Sequence, residues 1–174
     1  MKITGGKYNS LSIKTADFTN IKPTLSKIRQ AVFNTVAAHG EFETFCDLFA
    51  GSGIMTFEAI SRGYDVYSVE IDRKSAKIIS ENAQKLKTSI NLFNTDAVKF
   101  LEKTSICFDI FYIDPPYNSD LYNKTLFVIS HKNLLTRNGI IILEKPINKE
   151  INTNGFNIIK EKSYGDKVIS YMVK

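Results

Sequence analysis

Thr44-Phe45-Cys46-Asp47-Leu48-Phe49-Ala50-Gly51-Ser52-Gly53 is an apolar run with one carboxylate, closed by a glycine pair. A run of this length bounded by glycine reads as a buried strand. The segment from Ser52 to Arg62 then reads as a helix, stopped by Gly63. The same alternation repeats downstream. Val66 to Glu70 is a second strand, and Arg73 to Lys87 a helix with Ala76, Ile79, Ala83 and Leu86 on its inner face. Ile90 to Asn94 is a third strand and Ala97 to Lys103 a short helix. A fourth strand leads into Asp114-Pro115-Pro116-Tyr117, followed by a helix from Leu121 to His131. Ile140 to Glu144 is a fifth strand. Phe156–Lys162 and Val168–Val173 flank Gly165-Asp166 as a closing hairpin. Apolar strands alternating with amphipathic helices imply an α/β fold: a mostly parallel, seven-stranded sheet covered on both faces, with one antiparallel strand expected at an edge.

The region before Thr44 differs. Residues 2–20 read as short extended pieces around Gly5-Gly6, a small hairpin-like arm. A helix is expected from Pro23-Thr24, with Leu25, Ile28, Val32 and Val36 on one face and Gly40 at its end. The chain has 174 residues and a net charge of +5. Residues 1–30 carry six bases against one acid, and the remainder is balanced, so the whole excess lies at the N-terminus. A basic patch on a neutral body suits a polyanion such as nucleic acid. Two units are therefore expected: a basic arm and helix over 1–40, and an α/β body over 41–174.

Several classes are disfavoured. No apolar stretch approaches the length that spans a bilayer, and Met1 to Gly6 has no signal-peptide core, so a cytoplasmic protein is expected. Cys46 and Cys107 lie in apolar runs and read as buried thiols. No Cys/His cluster has metal-ligand spacing, and no metal is expected.

In open α/β sheets, ligands bind outside the carboxyl ends of the strands. Asp47, Gly51, Gly53, Glu70 and Asp96 all fall there. Glycines let backbone approach a ligand, and the following helix points its N-terminus at the same spot. Glu70 stands 19 residues after Gly51, where a carboxylate accepts bonds from both hydroxyls of a ribose. Asp96 is placed for an adenine amino group. The dinucleotide fingerprint is incomplete, because Thr56 occupies its last glycine position, and Asp47 would repel a phosphate. A nucleotide-dependent oxidoreductase is thereby disfavoured. A cofactor with a cationic amino-acid tail, such as S-adenosylmethionine, fits better.

The turn Asp114-Pro115-Pro116-Tyr117 adds a reactive-base site. Prolines stiffen the backbone and supply no N–H to occupy a neighbouring carbonyl. Rigid acceptors beside an aromatic ring suit an exocyclic amino group. Its lone pair becomes nucleophilic once its N–H groups are bound.

These segments resemble a known family. Asp47 to Gly53, Val69-Glu70-Ile71-Asp72 and the Asp-Pro-Pro-Tyr turn look like motifs of class I S-adenosylmethionine-dependent methyltransferases, which have a Rossmann-like fold. Gly5-Gly6-Lys7, Lys22-Pro23-Thr24 and Ile28-Arg29-Gln30-Ala31-Val32-Phe33-Asn34 resemble the RsmD family, which methylates guanine N2 in bacterial 16S ribosomal RNA. Against the family pattern, Lys22 and Gln30 stand where arginine and glutamate are common.

The resemblance implies that Asp114, Pro115, Pro116 and Tyr117 are catalytic. It implies a cofactor site made of Asp47, Phe49, Ala50, Gly51, Ser52 and Gly53 from the first loop, with Glu70, Ile71, Asp96 and Ala97 from the next two. Lys7, Lys22, Thr24, Lys27 and Arg29 would contact RNA. The implied partner is 16S rRNA or an assembling small ribosomal subunit; a monomer is the default expectation. An adenine-N6 DNA methyltransferase shares the acceptor turn but usually carries a large target-recognition region. A non-catalytic RNA-binding protein on the same fold is the other alternative.

Overall fold

The computed structural model describes residues 1–15 and 26–174. The elements follow the expected alternation: α1 (Ser26–His39), β1 (Thr44–Asp47), α2 (Ile54–Ser61), β2 (Asp65–Val69), α3 (Arg73–Leu86), β3 (Asn91–Phe93), α4 (Ala97–Lys103), β4 (Phe108–Ile113), α5 (Leu121–His131), β5 (Leu135–Pro146), β6 (Asn157–Tyr164) and β7 (Lys167–Val173). One seven-stranded sheet runs in the order β3-β2-β1-β4-β5-β7-β6. Pairings from β3 through β5 are parallel, and β7 is antiparallel to both β5 and β6. The order reverses between β1 and β4, which opens a crevice at their carboxyl ends.

Side-chain alternation sends successive strand residues to opposite faces. Phe45, Ile110, Tyr112, Ile140, Ile142, Ile169 and Tyr171 pack with residues of α1, α2 and α3. Cys46, Phe111, Ile113, Ile141, Leu143 and Met172 pack with α4 and α5. The inner face of α3 buries Ala76, Ile79, Ala83 and Leu86, as its periodicity requires.

Three expectations are corrected. The antiparallel strand is not at the edge: β7 lies inside and β6 takes the edge. Composition explains it, since all of β6 but its last residue is exposed whereas β7 is buried through Met172. The fifth strand starts earlier than its apolar run, at Leu135, which pairs with Phe108 before a register shift. The polar stretch Thr136-Arg137-Asn138 hides that beginning in the sequence. Cys107 is exposed rather than buried, because β4 begins one residue later.

The described part of the N-terminal segment packs onto the α/β body. Among its described residues, a bridge joins Lys2 to Ser12. Ile3, Tyr8 and Ile13 are buried in the same core as Ile28, Val32 and the sheet. Phe33 of α1 stacks on Phe45 of β1, with ring centroids 5.7 Å apart. Ser61 Oγ accepts from Tyr8 N at 2.8 Å, and Asn82 Oδ1 accepts from Lys14 N at 2.8 Å. Residues on both sides of residue 40 thus contribute to one core.

Candidate active site

The crevice at the strand ends is a cavity of about 640 Å³, within the range of small-molecule sites. Loops after β1, β2, β3 and β4 wall it.

Asp47 ends β1 and is 1% exposed. Its Oδ2 accepts from the Thr56 hydroxyl at 2.7 Å, while among the described residues its Oδ1 has no partner. Burial pushes its carboxyl up to about 7, against the hydrogen bonds from Thr56, and the nearby Glu70 charge adds to the rise. A buried carboxylate oxygen without a donor is costly unless a ligand supplies one.

Glu70 follows β2 and is organised by backbone. Gly51 N donates to Oε2 at 2.6 Å and Asp72 N to Oε1 at 2.7 Å. Burial raises its carboxyl above the usual range, and these two bonds oppose that. Each oxygen keeps further acceptor capacity toward the cavity. Ile71 is exposed at the rim, and Asp96 caps α4 by accepting from Lys99 N at 3.0 Å.

Phe49, Ala50, Gly51, Ser52, Ile71, Asp96 and Ala97 also line the cavity. Gly53 does not. At φ 77° it turns the chain into α2, and a Cβ there would lie 2.8 Å from Ile79 Cγ1. Its glycine is demanded by packing and by a left-handed backbone, not by ligand access.

The acceptor turn closes the opposite wall with Asp114, Pro115, Pro116 and Tyr117. The Pro115 carbonyl accepts from the buried Tyr122 hydroxyl at 3.3 Å, leaving a second lone pair. The Pro116 carbonyl takes Ser119 N at 3.0 Å. Tyr117 is 37% exposed, so its ring remains a platform. Burial raises the Asp114 carboxyl well above its usual range. Glu144 adds to this, Lys167 opposes it and Asp47 adds a further increment. Tyr122, Glu144 and Lys167 carry no sequence motif. Glu144, which closes the apolar run Ile140-Ile141-Ile142-Leu143 two residues before the end of β5, is the one that the strand-end rule could have found.

The basic set divides. Lys7 and Lys27 are exposed, with the Lys7 ammonium 5.2 Å from the Tyr8 ring. Lys22 and Thr24 lie outside the described residues. Arg29 is corrected: it is 4% exposed, donates to Glu58 Oε1 at 2.9 Å and to the Lys2 carbonyl at 2.8 Å, and faces the core rather than an RNA phosphate. Among the described residues, no group of three or more His, Cys, Asp or Glu is placed to hold a metal ion. Nor, among them, is any helix long and apolar enough to cross a membrane.

The model of the family described as "Conserved hypothetical protein 95" matches residues 1–173. The chain belongs to that family. This is the RsmD family of the resemblance. Relatives in it include "Ribosomal RNA small subunit methyltransferase D" of Buchnera aphidicola subsp. Baizongia pistaciae, 29% identical over 97% of this chain and 88% of the relative. The protein of the same name from Buchnera aphidicola subsp. Acyrthosiphon pisum is 31% identical over 82% of this chain and 76% of the relative. Among solved structures, "Putative methyltransferase yhhF from Escherichia coli" superposes with a TM-score of 0.88 at 24% identity, over 100% of this chain and 98% of that one. Both the family and the superposition carry the Rossmann-like methyltransferase fold.

Proposed function

We propose that this protein transfers a methyl group from S-adenosylmethionine to the exocyclic N2 of a guanine in small-subunit ribosomal RNA. One observation carries this: a single cavity joins a cofactor set (Asp47, Gly51, Glu70, Asp96) to a rigid acceptor turn (Asp114 to Tyr117). The name shared by the relatives, Ribosomal RNA small subunit methyltransferase D, supports the RNA substrate. A monomer acting in the cytoplasm is part of the same proposal.

The residues present fit the cofactor. The Asp47 oxygen that has no partner among the described residues suits a buried ammonium group. Glu70, fixed by two backbone donors, suits a ribose diol. When bound, S-adenosylmethionine supplies a methyl group on a sulfonium, which leaves as a neutral thioether.

The protein supplies position and proton management. A guanine turned out of its stack lies against the Tyr117 ring. Asp114 and the Pro115 carbonyl accept its amino hydrogens and turn the lone pair toward the methyl carbon. Guanine presents one N1–H and two N2–H donors side by side. The Asp114 oxygens and the Pro115 carbonyl make three acceptors, whereas adenine presents an acceptor at N1. As the N–C bond forms and the S–C bond breaks, N2 sheds a proton. Asp114, whose burial raises its proton affinity, receives it. Alignment accounts for much of the acceleration.

The test is incubation with labelled S-adenosylmethionine and small-subunit particles lacking the modification, then digestion to nucleosides. Labelled N2-methylguanosine is expected. Label confined to N6-methyladenine in a parallel DNA sample would move the function to adenine. No transfer, with RNA binding intact, would leave a binding protein.

A further inference from the structure

Lys167 lines the cavity and, among the described residues that do, is the one cation. It sits at the first position of β7, opposite Pro146 of β5, and is 6% exposed. Glu144 pairs with Ile169 two residues further on, so Lys167 and Glu144 are diagonal neighbours on one sheet face. Their side chains form a short, buried ion pair. The other Glu144 oxygen accepts from the Tyr112 hydroxyl at 2.8 Å. Tyr112 and Asp114 lie two residues apart along the end of β4, and Tyr112 shares the Glu144 face. The Lys167 ammonium also stands 5.3 Å from the centroid of the Tyr117 ring.

A cation buried beneath the acceptor turn is costly to keep there. Three carboxylates crowd this spot: Asp47 from β1, Asp114 just after β4 and Glu144 from β5. Tyr117 from the turn and Tyr122 from α5 complete the titratable surroundings. Asp114 must lose its proton before it can accept from a base with both oxygens. The Glu144 charge opposes that loss and the Lys167 charge favours it. Burial works against the Lys167 charge, but the contact with Glu144 more than offsets it, so the ammonium persists.

We propose, on the acceptor role of Asp114 set out above, that Lys167 is a positioning residue of the methyl-transfer site: fixed by Glu144, it balances the carboxylates around Asp114 and tethers the Tyr117 ring on which the base stacks. Lys167 touches neither reacting atom. It sets the pH at which Asp114 becomes an acceptor and the geometry of the stacking platform.

The experiment is a pH profile of kcat/KM for RNA at saturating S-adenosylmethionine, on the full chain and three variants. In Lys167→Met the acidic limb moves to higher pH by about one unit or more, because Asp114 faces Glu144 without its counter-charge. Lys167→Arg restores the wild-type limb. In the double variant Lys167→Met/Glu144→Gln both charges are gone, and the limb returns to the wild-type position or below it. KM for RNA nevertheless stays raised there, because Tyr117 has lost its tether. An unmoved limb in Lys167→Met overturns the proposal. Should that variant fail to fold by circular dichroism, a wild-type KM for RNA in the double variant overturns it. Failure of the wild-type protein to methylate RNA at any pH would instead sink the function on which the proposal stands.

Discussion

The Thr56 hydroxyl donates to Asp47 Oδ2 at 2.7 Å, from the first turn of α2 back to the end of β1. Thr56 is the residue that breaks the dinucleotide fingerprint. Its hydroxyl does what a glycine there could not. It fixes one oxygen of a buried carboxylate and leaves the other, Oδ1, without a partner among the described residues. In the proposed function, this departure from the phosphate-binding pattern leaves Asp47 Oδ1 for the cofactor's ammonium group.

Asp47 makes cofactor affinity depend on pH. Its carboxyl is pushed up to about 7 in the folded protein. An ammonium ligand binds the ionised form, so affinity rises with pH to about 7 and levels off above. Below that, each pH unit costs up to about tenfold in Kd. Calorimetric titration with S-adenosylmethionine from pH 5.5 to 8.5 measures it.

The same group affects stability with the opposite benefit. Its folded value lies above the unfolded one, so the folded state binds the proton better, and stability falls as pH rises from about 4 to about 7. The loss is of the order of 4 kcal/mol at most. Asp47→Asn removes the buried charge. At pH 8 and without cofactor, its Tm is expected to rise by more than about 3 °C while cofactor binding is lost. Thermal denaturation with and without cofactor checks both.

Glu70 holds its place through Gly51 N and Asp72 N, and the proposal gives it the ribose. Glu70→Ala is expected to weaken S-adenosylmethionine binding by about 10- to 100-fold, the worth of charge-assisted hydrogen bonds. At saturating cofactor, kcat stays near wild type. Steady-state kinetics at two cofactor concentrations separate the effects.

Arg29 and the exposed lysines are expected to differ in kind. Removing Arg29 leaves buried Glu58 with the Arg62 ion pair, whose guanidinium side chain is 18% exposed, and the two Thr4 hydrogen bonds. Breaking a buried pair costs about 3–5 kcal/mol, so Arg29→Ala lowers Tm without changing the salt dependence of RNA binding. Neutralising Lys7 and Lys27 leaves Tm unchanged and reduces the salt slope by about 0.7–0.9 for each RNA phosphate that the protein no longer neutralises. Filter binding across a salt series, beside thermal melts, distinguishes them.

Much of this was legible because carboxylates at strand ends follow a simple rule. Asp47, Glu70, Asp96 and Asp114 each close an apolar run, and parallel strands bring such ends to one crevice. Asp72 and Asp96 also sit where helix caps belong, and both accept from the third residue of their helices. What escaped depends on pairings that periodicity does not encode. Arg29 reads as a surface base on α1 because nothing nearby reveals Glu58, which lies within the buried helix α2. Lys167 stands out only once β7 slots between β5 and β6 and sets it beside Glu144. Tyr122 reads as one aromatic of an amphipathic helix, and only the fold aims its hydroxyl at Pro115. The early half of β5 escaped because polar residues carry it past a register shift.

The most direct test of the shared cavity is Asp114→Ala, read out twice. Calorimetry gives its affinity for S-adenosylmethionine, and single-turnover assays on small-subunit particles give its transfer rate. A Kd within about threefold of wild type is expected, together with a loss of transfer of at least about 10³-fold, the combined effect of positioning and proton acceptance. Transfer within tenfold of wild type would contradict the account.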